Sequence, residues 1–176
     1  MRRVSRVGTV GFTLAVILSP GSARPSEGGM EDCPMHAQHH ASATQDEQSA
    51  REAKGMGFSQ ERTTHHFALT REGGRIQVTA NAADDHVTIG QVRSHLKRIV
   101  KAFKAGDFAI PTLVHDQTPP GVPAMRRLKS EISYAYEAQP DGAAVAIRSQ
   151  NPEAVKAVQA FLRFQIREHK TGDPVR

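Results

Sequence analysis

Residues 30–41, with the sequence MEDCPMHAQHHA, bring together side chains that bind soft metal ions. The segment contains the only cysteine of the 176-residue chain, two of its five methionines and three of its nine histidines. Sulfur and imidazole donors together suit copper or zinc, and no carboxylate cluster favours calcium or magnesium. We therefore predict a copper or zinc site here, the alternative being a polar spacer. Its candidate ligands are Cys33, Met35, His36, His39 and His40.

The tetrapeptide CPMH at residues 33–36 resembles the CPMHP segment of bacterial heavy-metal-binding domains found on copper-efflux proteins. Ala37 stands where that segment ends in proline, and the aromatic residue usual before it is absent. The resemblance covers four residues and implies copper handling.

A second group of possible ligands lies further along the chain. His65 and His66 begin a predicted strand in TTHHF, so their rings should lie on opposite faces of a sheet, His65 towards the core. His115 and Met125 occur in a proline-rich segment and are candidates to complete a ligand or second metal site, which His169 could join. The alternative is a set of structural histidines with ordinary hydrogen bonds. His95, within a predicted helix, is expected to be such a structural histidine.

No catalytic residue is predicted. The chain contains no G-x-S-x-G, H-E-x-x-H, phosphate-binding G-x-x-x-x-G-K-[ST] or haem-attaching C-x-x-C-H sequence. These absences favour a binding protein over an enzyme, and we expect neither nucleotide nor haem.

The N-terminus has the pattern of an export signal. Arg2, Arg3 and Arg6 precede an apolar run of twelve residues at 7–18, and small residues before Arg24 provide a cleavage site. Twelve residues are fewer than the ~20 that a helix needs to cross a bilayer. We therefore expect a signal peptide at 1–23, a periplasmic or secreted protein, and no stable membrane span after cleavage.

Removal of residues 1–23, which hold three arginines and no acids, would lower the net charge from +5 to +2. Such a small net positive charge is not typical of a nucleic-acid-binding protein, so no nucleic-acid partner is expected. Residues 24–56 contain almost no large apolar side chains, which predicts a disordered tether. A single cysteine cannot form an intramolecular disulfide, so the domain predicted at 57–173 must be stabilised by its core.

Two similar units make up this domain. Apolar residues alternate along 65–80 around Gly73-Gly74 and along 132–149 around Asp141-Gly142, which is typical of β-hairpins. Each hairpin precedes a helical pattern, the first ending at Gly106 and the second beginning at Asn151-Pro152 and ending at Gly172. The prediction is an α+β fold: two β-β-α units form a four-stranded antiparallel sheet with two helices on one face.

The alternation also predicts which strand residues face the helices and which face outwards. The outer face should be small and polar, able to meet solvent or a second copy of the chain, so a homodimer is one expected assembly. Residues 106–130 are expected to form a long loop with a short helix at 122–128. The predicted helix-facing residues are Phe67, Leu69, Ile76, Val78, Ile132, Tyr134, Tyr136, Val145 and Ile147.

Four segments resemble a family of small bacterial exported proteins of unestablished function. They are MGFSQERTTHHFALTREGGRIQVTANAADD, VRSHLKRIVKAFKAGDFAIPTLVH, PPGVPAM and FLRFQIREHKTGD, and the resemblance covers residues 55–173. Some members carry the name aspartate carbamoyltransferase, a far larger enzyme whose Ser-Thr-Arg-Thr loop has no counterpart here. The resemblance implies a shared domain without assigned chemistry. Its recognisable segments contain His65, His66, His115, Pro119, Pro120, Gly121 and Met125.

Three functions follow from these patterns. The leading hypothesis is an exported protein that binds or handles a soft transition metal, most plausibly copper. The second is an interaction or dimerisation domain that acts through the outer face of the sheet. The third is a small-molecule-binding or enzymatic domain that uses His65, His66 and His115.

Overall fold

The computed structural model describes residues 50–51 and 53–176. Residues 50–51 and 53–56 are helical, and short 3-10 turns occur at Gln60–Arg62 and Lys129–Glu131. The main elements follow in the order β1 (Thr63–Thr70), β2 (Gly73–Ala80), α1 (His86–Ala105), α2 (Ala109–His115), α3 (Val122–Arg127), β3 (Ser133–Gln139), β4 (Gly142–Arg148) and α4 (Pro152–Glu168).

The four strands form one antiparallel sheet in the order β1-β2-β4-β3. Strands β2 and β4 are central, so the two hairpins meet along them, while β1 and β3 form the edges. The helices α1 and α4 pack on one face, and strand side chains pointing towards them are buried in alternation. The predicted α+β fold with two β-β-α units is confirmed.

Each long helix packs mainly over the hairpin of the other unit. Helix α1, from the first unit, lies mostly over β3 and β4, and α4 lies over β1 and β2. Arg93 on α1 also donates hydrogen bonds to the carbonyls of Gln139, Pro140 and Gly142 at the β3–β4 turn, at 2.6, 3.1 and 3.1 Å. The two units therefore share one core.

The hairpin turns differ slightly from the prediction, because the glycines begin the returning strands. Thr70 pairs with Gly73, so the first turn consists of residues 71–72. Gly74 lies beneath α4, where a Cβ would stand 2.1 Å from Leu162 Cδ1. Gly142 begins β4, where a Cβ would stand 2.1 Å from the carbonyl oxygen of Val78. Close approach by neighbouring groups therefore explains these glycines.

The predicted start of α4 is confirmed, but its end is not. Asn151 caps the helix, and its side chain accepts hydrogen bonds from two backbone amides of the first turn. The helix ends at Glu168 with His169 as C-cap, four residues before Gly172. The chain then turns back to the edge strand β1, where Asp173 Oδ2 accepts a hydrogen bond from the backbone amide of Phe67 at 2.8 Å.

Residues 106–130 contain more helix than predicted. Helix α3 confirms the predicted short helix, and α2 is an additional one that begins directly after Phe108. Phe108 is fully buried and its ring packs 4.4 Å from that of Phe103, which anchors this segment to α1. The packing brings His115, the last residue of α2, against the core.

The outer face of the sheet is partly covered by its own side chains. Arg75 on β2 and Glu137 on β3 form an ion pair that crosses the intervening strand β4. The outer face was predicted to be open, but Ala144 and Ala146 on this face are buried beneath the pair. In the part of the chain described, no helix combines the length and apolar character needed to cross a membrane.

Candidate functional site

A cavity of about 60 Å³ lies between the sheet and helices α1, α2 and α4. Most of its wall is apolar, with contributions from residues such as Met56, Phe67 and Phe161. Its polar lining consists of four imidazoles and one carboxamide: His65, His95, His115, Gln165 and His169.

Four elements position these five polar groups. Strand alternation on β1 directs His65 inwards, on the same face as Phe67. His95 occupies the buried stripe of α1, and His115 closes α2. Gln165 and His169 are four residues apart at the end of α4, so they lie on one side of the helix. Residues distant in sequence therefore meet at a single small cavity.

Three of the imidazoles are close neighbours. The ring centre of His169 lies 5.2 Å from that of His65, with the planes 7° from parallel. It lies 5.1 Å from the ring centre of His115, with the planes 80° apart. Phe58 and Phe67 flank this cluster, at 6.2 Å from His65 and 5.6 Å from His169. We call His65, His115 and His169 the three-histidine cluster.

Glutamine side chains hold two members of the cluster. His115 Nε2 lies 2.9 Å from Gln165 Oε1. Because that oxygen can only accept, His115 carries its proton on Nε2. Gln60 Nε2 lies 3.0 Å from His169 Nδ1. Each of these two rings therefore has one nitrogen oriented by a carboxamide.

Burial keeps three imidazoles uncharged. It lowers the pKa of His65 to about 4. Burial, assisted by the nearby charge of Arg98, also lowers the pKa of His95 to about 4. The pKa of His169 falls to about 3, because of burial first and of the charges of His65 and His115 second. These rings are therefore neutral at pH 7 and present lone pairs to a ligand.

Two buried polar atoms on the cavity wall have no hydrogen-bond partner among the described residues. They are Gln165 Nε2 and His95 Nδ1. Gln165 is 4% exposed and His95 6% exposed. Buried polar groups without a partner are uncommon, since each costs about 1–3 kcal/mol. Both side chains line the cavity, where a small polar molecule could pair with them.

The predicted site residues separate in the structure. His65 and His115 both line the cavity, but His66 lies on the outer face of the sheet, so the three histidines of the third hypothesis do not converge. On the outer face, His66 Nδ1 is 3.0 Å from Asp173 Oδ1. Met125 is fully buried in the core and does not line the cavity. The predicted ligands of residues 30–41 (Cys33, Met35, His36, His39 and His40) lie outside the described residues.

Gln165 was not among the site residues predicted from the sequence, and His95 was predicted to be a structural histidine. One signal was available: Phe161, Gln165 and His169 recur every four residues and continue a helix face from the core into polar groups. The helix ends at Glu168, and His169 keeps a right-handed backbone as its C-cap, so its side chain stays on this face.

In the described part of the chain, no set of three or more His, Cys, Asp or Glu side chains is already arranged to hold a metal ion. The three-histidine cluster would need rotations of its rings to do so. Comparison with protein-family models, with curated proteins and with solved structures gave no match for this chain. The family resemblance therefore stays a prediction.

Proposed function

We propose that this chain is an exported protein that binds a soft or borderline transition-metal ion, copper or zinc, through His65, His115 and His169. The spacing of His169 from each of the other two rings carries the proposal. Two imidazoles on one tetrahedral ion, at Zn–N distances of about 2.0–2.1 Å, have ring centres roughly 5 Å apart. The centres of His65 and His115 lie 5.2 and 5.1 Å from that of His169.

Ion binding then requires rotation of rings rather than movement of the backbone. Turning an imidazole about its Cβ–Cγ bond redirects its nitrogens while its centre moves little. The backbones that carry the cluster are a strand and the ends of two helices, all packed on the common core. Such a scaffold limits the reorganisation that a metal must induce.

The Gln165 contact is of the kind that supports a metal-bound histidine. A histidine ligand usually gives its second ring nitrogen to a neighbouring oxygen, which fixes the orientation of the ring. Gln165 accepts such a bond from His115 Nε2 at 2.9 Å, and coordination by His115 would then use Nδ1. Gln60 Nε2 instead donates to His169 Nδ1, so coordination by His169 Nε2 would require the Gln60 carboxamide to turn its oxygen towards Nδ1.

The surroundings favour copper or zinc over harder ions. Neutral imidazoles suit these ions, whereas magnesium and calcium prefer oxygen ligands. The cavity is lined by imidazoles and apolar groups, with no carboxylate. Cys33, Met35 and His36 add soft donors ahead of the domain, where they would serve as a capture segment for copper. The basic and apolar N-terminus supports export.

The test is metal titration of untagged protein that begins at residue 24. Cu²⁺, Cu⁺ and Zn²⁺ would be added with a competing chelator, so that affinities are measured directly. We expect one site per domain, and His169→Asn should weaken it by more than about 100-fold, beyond the 10–100-fold effect of losing an outer-shell partner. His66→Asn is the matched control, because that ring lies on the other face of the sheet.

Deletion of residues 30–41 separates the domain site from the capture segment. The deletion should remove additional copper binding and leave the histidine site intact. Unchanged affinity in His169→Asn would overturn the three-histidine site. Binding that disappears entirely with residues 30–41 would assign the metal to that segment alone.

A further inference from the structure

We propose that the outer edge of strand β3 binds an extended, acidic segment of a partner protein, which adds a fifth strand to the sheet. This edge is separate from the histidine cavity, whose described lining includes no residue of β3. The inference therefore does not depend on metal binding. Strand addition at a sheet edge is a common mode of peptide recognition, because the backbone provides hydrogen bonds and alternate side chains provide specificity.

The two edges of the sheet differ in what covers them. The edge strand β1 contacts the C-terminal segment of the chain, where Asp173 accepts a hydrogen bond from the backbone amide of Phe67 at 2.8 Å. The backbone of β3 pairs only with β4 within the described residues. Exposed edges are commonly protected by lysine or proline, and residues 133–139 contain neither. Ser133, Ala135 and Ala138 are small and exposed, so another strand can approach this edge.

A row of cations follows β3 on the helix-covered side of the sheet. Arg93, Lys97 and Lys101 recur every four residues along α1, so they lie on one side of the helix. Arg93 donates a hydrogen bond to the carbonyl of Gln139 at the end of β3, at 2.6 Å. Lys97 Nζ lies 5.3 Å from the centre of the Tyr136 ring, further back along the strand. These two contacts align the row with β3, and Lys101 continues it towards the start of the strand.

No acidic side chain of the described structure pairs with the exposed lysines of this row. Helix α1 contains no Asp or Glu, and neither Lys97 nor Lys101 takes part in an ion pair among the described residues. Glu137, the only acidic residue of β3, is paired with Arg75 on the opposite face of the sheet. Side chains of an added strand alternate between the two faces, so every second one would meet the row. Glutamate or aspartate at these positions complements its charge.

A second copy of the chain complements this edge less well. Antiparallel pairing of β3 with itself is a two-fold arrangement, and it would place both α1 helices on the same face of the joined sheet. The two rows of cations would then lie side by side and repel each other. An acidic strand from another protein meets the row with opposite charge, and we therefore assign the edge to such a partner.

The experiment uses the untagged chain beginning at residue 24 and a short, fluorescently labelled peptide in which glutamate alternates with valine. This alternation places all glutamates on one face of a strand. Fluorescence anisotropy should show saturable binding of one peptide per chain, which weakens as salt is added. A peptide with glutamine in place of glutamate should bind about 5-fold more weakly or worse, because it loses its ion pairs.

Two N-methylated peptides test the strand pairing itself. Alternate backbone amides of an added strand point towards the sheet, and the others point away from it. One peptide carries N-methyl groups on its glutamates and the other on its valines, so each set of amides is removed without a change in charge. We expect one peptide to bind at least about 10-fold more weakly, because it loses several hydrogen bonds, and the other to bind like the unmodified peptide.

Lys97→Glu tests where the peptide binds. The substitution reverses the charge beside Tyr136 and should weaken binding of the acidic peptide by about 5-fold or more. Lys156→Glu is the matched control, because Lys156 is an exposed lysine of α4, which covers the other hairpin. It should leave the affinity nearly unchanged.

The inference is supported if binding weakens in Lys97→Glu and not in Lys156→Glu, and if the two methylated peptides differ. Absence of saturable binding, equal binding of the methylated peptides, or equal weakening in both variants would overturn it. Sedimentation that shows a stable dimer from which the peptide is excluded would assign the edge to a second copy, and would equally overturn the acidic partner.

Discussion

At the scale of single residues, the cavity combines groups that the chain keeps uncharged. His65, His95 and His169 are shielded by aromatic and aliphatic neighbours, and burial is the first cause of each lowered pKa. An isolated charge in such surroundings would be strongly unfavourable. The same neutrality that makes these rings good metal ligands makes the metal-free domain sensitive to acid.

The metal-free domain should lose stability as the pH falls from about 6.5 towards 4. The unfolded chain takes up protons on these imidazoles near their ordinary value of 6.5, whereas the folded pKa values are about 4, 4 and 3. Acid therefore favours unfolding. Between pH 7.5 and pH 5, each imidazole should lower the free energy of unfolding by about 2 kcal/mol. Urea unfolding across this range measures the effect.

His95→Leu should remove the contribution of one imidazole from this pH dependence of unfolding, since leucine does not titrate. His86→Gln is the control, because His86 is exposed at the start of α1. Equal pH slopes for the wild type and His95→Leu would show that His95 does not contribute to acid unfolding.

At the scale of elements, the packing of α4 on the first hairpin depends on a strand position without a side chain. A Cβ on Gly74 would lie 2.1 Å from Leu162 Cδ1 and 2.5 Å from the carbonyl oxygen of Ala68. The leucine tip could rotate, but the backbone oxygen cannot give way so easily. The glycine therefore sets how closely the helix approaches β2, and with it the position of Gln165.

Gly74→Ala should destabilise the domain by about 1–3 kcal/mol or more, as overpacked sites do. Gly90→Ala is the contrasting variant, because Gly90 lies on the exposed side of α1 and a Cβ there meets nothing within 4 Å. It should stabilise the domain by roughly 0.5–1 kcal/mol, the gain of alanine over glycine in a helix. Chemical denaturation of both variants provides the comparison, and a stable Gly74→Ala protein would contradict the packing argument.

At the scale of the whole molecule, the two β-β-α units are interlocked. Each long helix covers mainly the hairpin of the other unit, and Arg93 on α1 donates hydrogen bonds to the β3–β4 turn. The C-terminal segment returns to the edge of β1 through Asp173. Neither unit can bury its own apolar strand face with its own helix, so the fold should be cooperative.

Residues 57–130, produced alone, should therefore lack a cooperative thermal transition, because α1 would have lost β3 and β4. Circular dichroism at 222 nm during heating measures this, with residues 53–176 as the folded control. Mixing in residues 131–176 should restore a transition if the two parts complement each other. A sharp transition in the isolated first unit would show that the units fold independently.

Local physical chemistry is visible in the sequence, and most of the fold was predictable from it. Period-two alternation identified the strands and their buried faces, because successive side chains in a strand point to opposite sides. Asn151-Pro152 and Gly106 marked helix ends through capping and through a left-handed backbone at φ +79°. These signals depend on residues a few positions apart, so they can be recognised without the tertiary structure.

The candidate site was decided by tertiary structure. His65, His115 and His169 are separated by at least fifty residues, and their meeting depends on how α2 and α4 pack against β1. The partnerless nitrogens of Gln165 and His95 arise only once both helices enclose one cavity. The sequence by itself determined which segments become strands and helices, because local spacing encodes them. Only the tertiary structure determined which histidines meet, because side chains distant in the chain are brought together by the shared core.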